Sequence, residues 1–249
     1  MHILLEACCG SAEDVIEAAA GGAERAELNS DLFHGGLTPT VGELAAAKAH
    51  TDIPIMTMIR PRQGGFCYTD VEYETAKLDA AALLERGADG LVFGFLTGDG
   101  EIDVSRTREL VSIAEGRQTV FHRAIDVVPD WRRALDTLIG LGVTRVLTSG
   151  QAPDVFFALD TVREMLAYAG DAIQILPGAG ITAENARRVA EYTGARQLHM
   201  ARHREAADRS TANNRDIFFG GALYPPEDRY PVSDRGYFAE TRASLDRLE

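Results

Sequence analysis

Ionisable and thiol-bearing residues fall at the ends of short apolar runs: Glu6 and Cys8 close the first run, Glu27 the second, Arg60 and Arg62 the third, His122 the fifth and His199 the last. In a parallel α/β fold the carboxyl ends of strands share one rim, so these groups are expected to meet there. A histidine, carboxylates and arginines on one rim suit proton transfer on a small anionic molecule. His122 precedes Arg123 and Asp126, so its imidazole reads as a general acid or base beside a charge that fixes its tautomer. Glu27 or Glu6 reads as the partner base, with Asp126 a further catalytic candidate. Arg60 and Arg62, split by a proline before a glycine pair in RPRQGGFCYTD, read as a fork for a carboxylate or phosphate. The blander alternative is a paired ion network that only fills the barrel, because buried charges need partners wherever they occur.

Two turns extend the candidate site. In ILPGAGITAEN, Gly178 and Gly180 free backbone amides, and Thr182 is placed as a helix N-cap. In LTSG, Ser149 supplies a hydroxyl on the neighbouring strand end. Exposed amides at a helix start are where barrels commonly bind phosphate, although a tight strand-to-helix turn has the same sequence. The expected ligand-binding set is therefore Arg60, Arg62, Arg123, Ser149, Gly178, Gly180 and His199, and the expected partner is a small anionic ligand.

The elements that must position these residues follow from periodicity. Short runs rich in Val, Ile and Leu, such as GLVFGF from Gly90 and RVLTSG from Arg145, alternate with Ala-rich amphipathic stretches such as VEYETAKLDAAALLERG. That alternation predicts strand–helix units around a parallel sheet. The strands are placed at Ile3, Arg25, Pro54, Gly90, Thr119, Arg145, Ile173 and Gln197. The expected architecture is an α/β (β/α)8 TIM barrel, one domain over residues 1–249. An open doubly wound sheet is the runner-up, but its GxGxxG turn after the first strand is missing. Within each strand, side chains two apart share a face, which puts Glu6 with Cys8 and Arg60 with Met56 and Met58. From Ala201 to Gly236 the period is lost and no clear strand is visible. This long segment after strand 8 reads as a lid, a tail packed on the barrel or an oligomer contact, and YFAETRASLDRLE as the eighth helix.

A formal charge of -13 repels a phosphate backbone, so nucleic acid is not an expected partner. No apolar stretch approaches the roughly 20 residues that span a bilayer, and no basic stretch precedes the first apolar run, so neither a membrane nor a secretory signal is expected. Cys8, Cys9 and Cys67 form no disulfide pattern, which fits a reducing, cytoplasmic setting. Neighbouring Cys8 and Cys9 should point to opposite faces of their strand.

The stretches LLEACCGSAED, GGAERAEL, GGLTPTVG, IPIMTMIRPRQGGFCYTDVE, GADGLVFGFL, FHRAIDVV, GVTRVLTSGQ and LPGAGITAEN give the chain a resemblance to the CutC family, barrel proteins named for copper homeostasis. The resemblance implies a TIM barrel, a cytoplasmic place, a homo-oligomer and copper, as Cu(I), held through cysteine, with Cys8 as the matching metal residue. The family pattern usually ends its second strand in a cysteine, where this chain has Asn29. Cu(I) favours sulfur ligands, commonly at least two, so one thiol and an amide are a poor set for it. Three readings follow: a copper-binding protein, a barrel enzyme acting on a small anionic metabolite, or a non-catalytic sensor of such a metabolite.

Overall fold

In the computed structural model, which describes residues 2–220, 223 and 225–247, eight parallel strands form the sheet order β7-β6-β5-β4-β3-β2-β1-β8. The strands are β1 (Leu4–Cys9), β2 (Arg25–Leu28), β3 (Ile55–Met58), β4 (Gly90–Phe93), β5 (Gln118–Phe121), β6 (Arg145–Thr148), β7 (Gln174–Pro177) and β8 (Gln197–Met200). The backbone ladder does not cross from β7 to β8. There the Gln197 side chain bridges the seam, its Nε2 donating to Ile175 O at 3.3 Å and Gln174 Oε1 at 3.4 Å. The barrel expected from the alternating runs is thus present and nearly closed.

Helices α1 (Ala12–Ala20), α2 (Val41–His50), α3 (Asp70–Glu85), α4 (Val104–Ile113), α5 (Trp131–Gly140), α6 (Leu159–Ala169), α7 (Ala186–Thr193) and α8 (Arg235–Leu245) surround it. Their starts are written in short polar side chains. Thr40 with Glu43 and Thr69 with Glu72 form capping boxes on α2 and α3, while Ser11, Asp103, Asp130 and Asp234 accept first-turn amides of α1, α4, α5 and α8. Thr182 differs from expectation. It lies in a turn whose backbone amide is taken by Asn185 Oδ1 at 2.8 Å, and α7 begins four residues later.

The main core fills the space between strands and helices and includes Leu5, Cys9, Leu28, Phe93, Phe121 and Phe238. A second apolar cluster, Met56, Met58, Val92, Val120, Leu147 and Leu176, fills the barrel itself. Below it, at the amino ends of the strands, the interior is polar. Arg25 donates to Glu6 and, at 2.7 Å, to Gln197, while Arg145 donates to Gln174 at 3.0 Å and Gln118 at 2.7 Å. The barrel therefore has a charged base, an apolar middle and an open polar top.

Segment 201–236, of which 221, 222 and 224 lie outside the described residues, is more ordered than its sequence suggested. It contains an antiparallel hairpin, β9 (His203–Ala207) with β10 (Arg229–Ser233), pairing His203 with Ser233. Asp14 at the start of α1 anchors the hairpin base: its carboxylate accepts from Ser233 N at 2.5 Å and Gly10 N at 2.8 Å. Arg235 adds an ion pair to Glu17 at 2.6 Å. Helix α8 then packs against α1 and α7 and covers the end of the barrel wall.

Candidate functional site

A cavity of about 650 Å³ opens at the carboxyl ends of the strands. Its floor comes from neighbouring strands, because the β1 register sets Cys8 beside Glu27 on β2 and Glu6 beside His199 on β8. Alternation carries Glu6 and Cys8 to the inner face and sends Cys9 into the outer core, as the two-residue period requires. His199 Nδ1 lies 2.7 Å from Glu6 Oε1, and its Nε2 lies 3.8 Å from Glu27 Oε2. The Cys8 thiol is 3.7 Å from the same Glu27 oxygen. Asn29 Nδ2 donates to Glu27 Oε2 at 3.1 Å and approaches Cys8 Sγ at 3.7 Å.

The electrostatics of the floor follow from burial and pairing. Burial opposes the charge on Glu6, yet Arg25 and His199 outweigh it and hold the carboxyl at about 2. Burial, with Glu6 nearby, raises the Glu27 carboxyl against the pull of His199. Burial likewise disfavours charge on His199, but Glu27, Cys8 and Glu6 together raise it well above the ordinary imidazole value. The Cys8 thiol is pushed up to about 11, chiefly by burial. Glu27 Oε1 is buried with no hydrogen-bond partner.

One wall is built from the loops after β3 and β5. Arg60 is 8 % exposed and spends its guanidinium on carbonyls, reaching His34, Gly35 and Gly36 through Nη1 and Gly64 through Nη2 at 2.9 to 3.1 Å. No carboxylate neutralises it among the described residues, and it lies over the Phe66 ring at 5.5 Å. His122 stands beside the same ring, with centroids 4.8 Å apart. Its Nδ1 accepts the Ala124 amide at 3.1 Å, so the ring proton sits on Nε2, which is buried and has no partner. Burial, reinforced by Arg60 and Arg123, depresses His122 to about 3, so it is neutral across the physiological range. Gly94 makes room for the ring, since a Cβ there would lie 2.4 Å from His122 Cε1.

The opposite wall is the turn after β7. Ala179 and Gly180 adopt φ of 71° and 76°, a left-handed pair in which the alanine carries strain of about 1 kcal/mol. Their carbonyls are satisfied by Val155 N and Asn185 Nδ2. The amides of Ala179, Gly180 and Ile181 have no partner among the described residues, and all three residues line the cavity.

The residues singled out in the sequence divide accordingly. Cys8, Glu27, Arg60, His122, Arg123, Gly180 and His199 line the cavity. Glu6 lies beneath it as the partner of His199 and Arg25. Arg62 turns away, paired with Glu72 at 2.6 Å and stacked on Tyr68, so the expected two-arginine fork does not form. Asp126 accepts from Thr148, from the amides of Ser149 and Gln151, and from Arg123, which makes it the organiser of the β6 turn. Ser149 is committed to Asp126 and Ala152 O. The Gly178 amide is used by Thr148 O, whereas the Gly180 amide is spare, together with those of its neighbours Ala179 and Ile181. Phe66 and His203 also line the cavity and were missed. Phe66 sits in a glycine-flanked loop without period, and His203 in the segment whose strands were not visible.

The CutC family model matches residues 3–204. The chain belongs to the CutC family. A family protein CutC of Treponema denticola is 51% identical over 232 residues, covering 93% of this chain and 94% of that one. A copper homeostasis protein cutC homolog of Mus musculus is 39% identical, covering 93% and 85%. The crystal structure of a putative copper homeostasis protein CutC from Streptococcus agalactiae superposes with a TM-score of 0.76 at 33% identity, covering 79% of this chain and 97% of that one. The family model ends within β9, and the 93% of this chain covered by the Treponema denticola and Mus musculus relatives carries the likeness on through the hairpin.

Proposed function

We propose that this CutC-family barrel binds a small carboxylate- or phosphate-bearing metabolite and performs proton-transfer chemistry on it. The observation that carries the reading is His122, a buried neutral imidazole whose Nε2–H has no partner in the wall of a roughly metabolite-sized cavity. A buried unpaired donor costs about 1–3 kcal/mol, and a ligand oxygen removes that cost. A neutral imidazole donor can polarise a carbonyl or steady a developing oxyanion without giving up its proton. Arg60 supplies uncompensated positive charge on the same wall, and the Ala179 to Ile181 amides suit the anionic end of the ligand. Glu27, with a raised carboxyl and a free oxygen, faces the ligand as base.

A thermal-shift screen of small phosphates and carboxylates at constant ionic strength tests this. At least one compound should raise the melting temperature of the protein, and His122→Asn should abolish that rise. A library that moves neither protein would remove the reading.

The names of the relatives favour a second reading, copper homeostasis, for which the family resemblance offers Cys8 as the metal residue. The donor set argues against a dedicated Cu(I) site, because Cys8 is the single thiol at the floor: Cys9 lies in the outer core and Cys67 is exposed in the loop after β3. Three unbridged cysteines are consistent with a cytoplasmic place, which a localisation experiment would test. No helix among the described residues is long and apolar enough to cross a membrane. Self-association rests on the family resemblance and is measured by light scattering.

A further inference from the structure

We infer that Cys8 Sγ, His199 Nε2 and one carboxylate oxygen of Glu27 form a site for a single divalent cation of the Zn2+ class, with its fourth position opening into the cavity. The three donor groups lie within 4.8 Å of one another, and the two separations through Glu27 Oε2 are 3.7 Å to Cys8 and 3.8 Å to His199. Bonds of about 2.3 Å to sulfur and roughly 2.0–2.1 Å to nitrogen or oxygen, at tetrahedral angles, hold donors roughly 3.3–3.7 Å apart. The two separations through Glu27 are thus within tenths of an ångström of what an ion requires, and the third is bounded by 4.8 Å.

The surroundings have the form of a metal site. Glu6 engages His199 Nδ1 at 2.7 Å, which fixes the ring and leaves Nε2 directed at Glu27 and Cys8. A carboxylate behind a histidine in this way orients a metal ligand and raises its basicity. Glu6 is itself held by Arg25. Asn29 steadies both the sulfur and the Glu27 oxygen from outside. Three protein donors and one open position make up the arrangement of a catalytic, rather than structural, zinc site.

The donor types decide the ion. One thiolate, one carboxylate and one neutral imidazole bring a charge that a divalent cation cancels. Loading the site releases the Cys8 thiol proton and the His199 Nε2 proton to solvent. Mg2+ and Ca2+ prefer all-oxygen sets of six or more ligands, and Cu(I) prefers two or more sulfurs. Asn29 beside Cys8 and Glu27 brings no sulfur, which leaves one thiol in the set and makes the floor a divalent rather than a cuprous one. The inference does not need the anionic ligand, because metal uptake is measured on the protein alone.

The test is titration of chelator-stripped protein with Co2+ and Zn2+ and, without oxygen, with Cu+ from a chelator buffer. One Co2+ per chain should bind with a thiolate charge-transfer band and strong tetrahedral ligand-field absorption, and Zn2+ should displace it. Cys8→Ser should remove the charge-transfer band. Glu27→Gln and His199→Asn should each weaken Zn2+ at least as much as Glu6→Gln, expected to cost about 10–100-fold as an outer partner. Asn29→Cys should move the preference toward Cu+. Near-UV circular dichroism checks each fold, and the band lost in Cys8→Ser, a nearly isosteric change, decides the matter if another variant does not fold. Tight one-to-one Cu+ binding that excess Zn2+ cannot displace would overturn the inference, as would Co2+ binding with no charge-transfer band or variants that bind like wild type. Absence of anion-induced thermal shifts would leave it standing and remove only the metabolite reading.

Discussion

Glu6 and His199 face each other across the β1–β8 seam, with Oε1 and Nδ1 2.7 Å apart, and Arg25 grips the other oxygen of the same carboxylate. The barrel base and the cavity floor are therefore joined through one side chain.

Replacing that side chain should expose the coupling. Glu6→Gln leaves Arg25 buried without a carboxylate and should cost about 3–5 kcal/mol by urea unfolding. Arg25→Met should also be destabilising, by leaving the buried Glu6 to His199 alone. The double variant should lose clearly less than the sum, because each single change already breaks the pair. Strict additivity would show that the two act independently.

Acid stability should report on His122. Its imidazole is held near 3 in the fold, against about 6.5 in the unfolded chain, so between those values the unfolded state binds the extra proton. Stability from keeping it neutral is fully present above pH 6.5 and falls as pH drops toward 3, by up to about 1.4 kcal/mol per unit. The His122→Asn protein should lose stability less steeply than wild type over pH 4.5 to 6.5. Parallel curves would mean that His122 titrates normally.

Gly94 tests the cavity wall without touching a polar group. In Gly94→Ala the new methyl would meet the imidazole at 2.4 Å and the Ala124 methyl at 2.8 Å. The expected cost is about 1–3 kcal/mol, with the ring displaced and anion-induced thermal stabilisation reduced more than that produced by metal. Equal losses of both would place the effect in the general fold.

Asp14 should control the hairpin locally. Asp14→Asn keeps one acceptor where two amides now converge, at about 1–3 kcal/mol. Hydrogen exchange should rise across residues 203–207 and 229–233 while β1 to β8 stay protected. Uniform acceleration would show that the hairpin is not a separable unit.

Much of this was legible from spacing. Apolar runs of strand length between amphipathic stretches marked the barrel, and the two-residue period placed Glu6 and Cys8 inward and Cys9 outward. Parity fails once a strand ends. Arg62 and Asp126 follow their strands, and loop geometry turned one to Glu72 and the other under Ser149. Residues Arg229–Ser233 hid because their pattern is exposed at one end, buried at the other and interrupted by Pro231, while His203–Ala207 is wholly outside the core. The polar base was readable in principle, since Arg25 lies two residues before Glu27 and Arg145 two before Leu147, on the same inward face. What spacing cannot supply is distance, so the sequence set Cys8, Glu27 and His199 on one rim without showing that their donor atoms close into one cluster.

The hairpin has a consequence for how the cavity is entered. It hangs from the start of α1 by Asp14 and contributes His203 to the cavity lining. The floor of the cavity is built by the barrel strands, while part of its doorway is built by this arm, which forms a two-stranded sheet of its own. The arm can therefore shift about its base without breaking a hydrogen bond of the eight strands, so the width of the entrance is set separately from the groups beneath it.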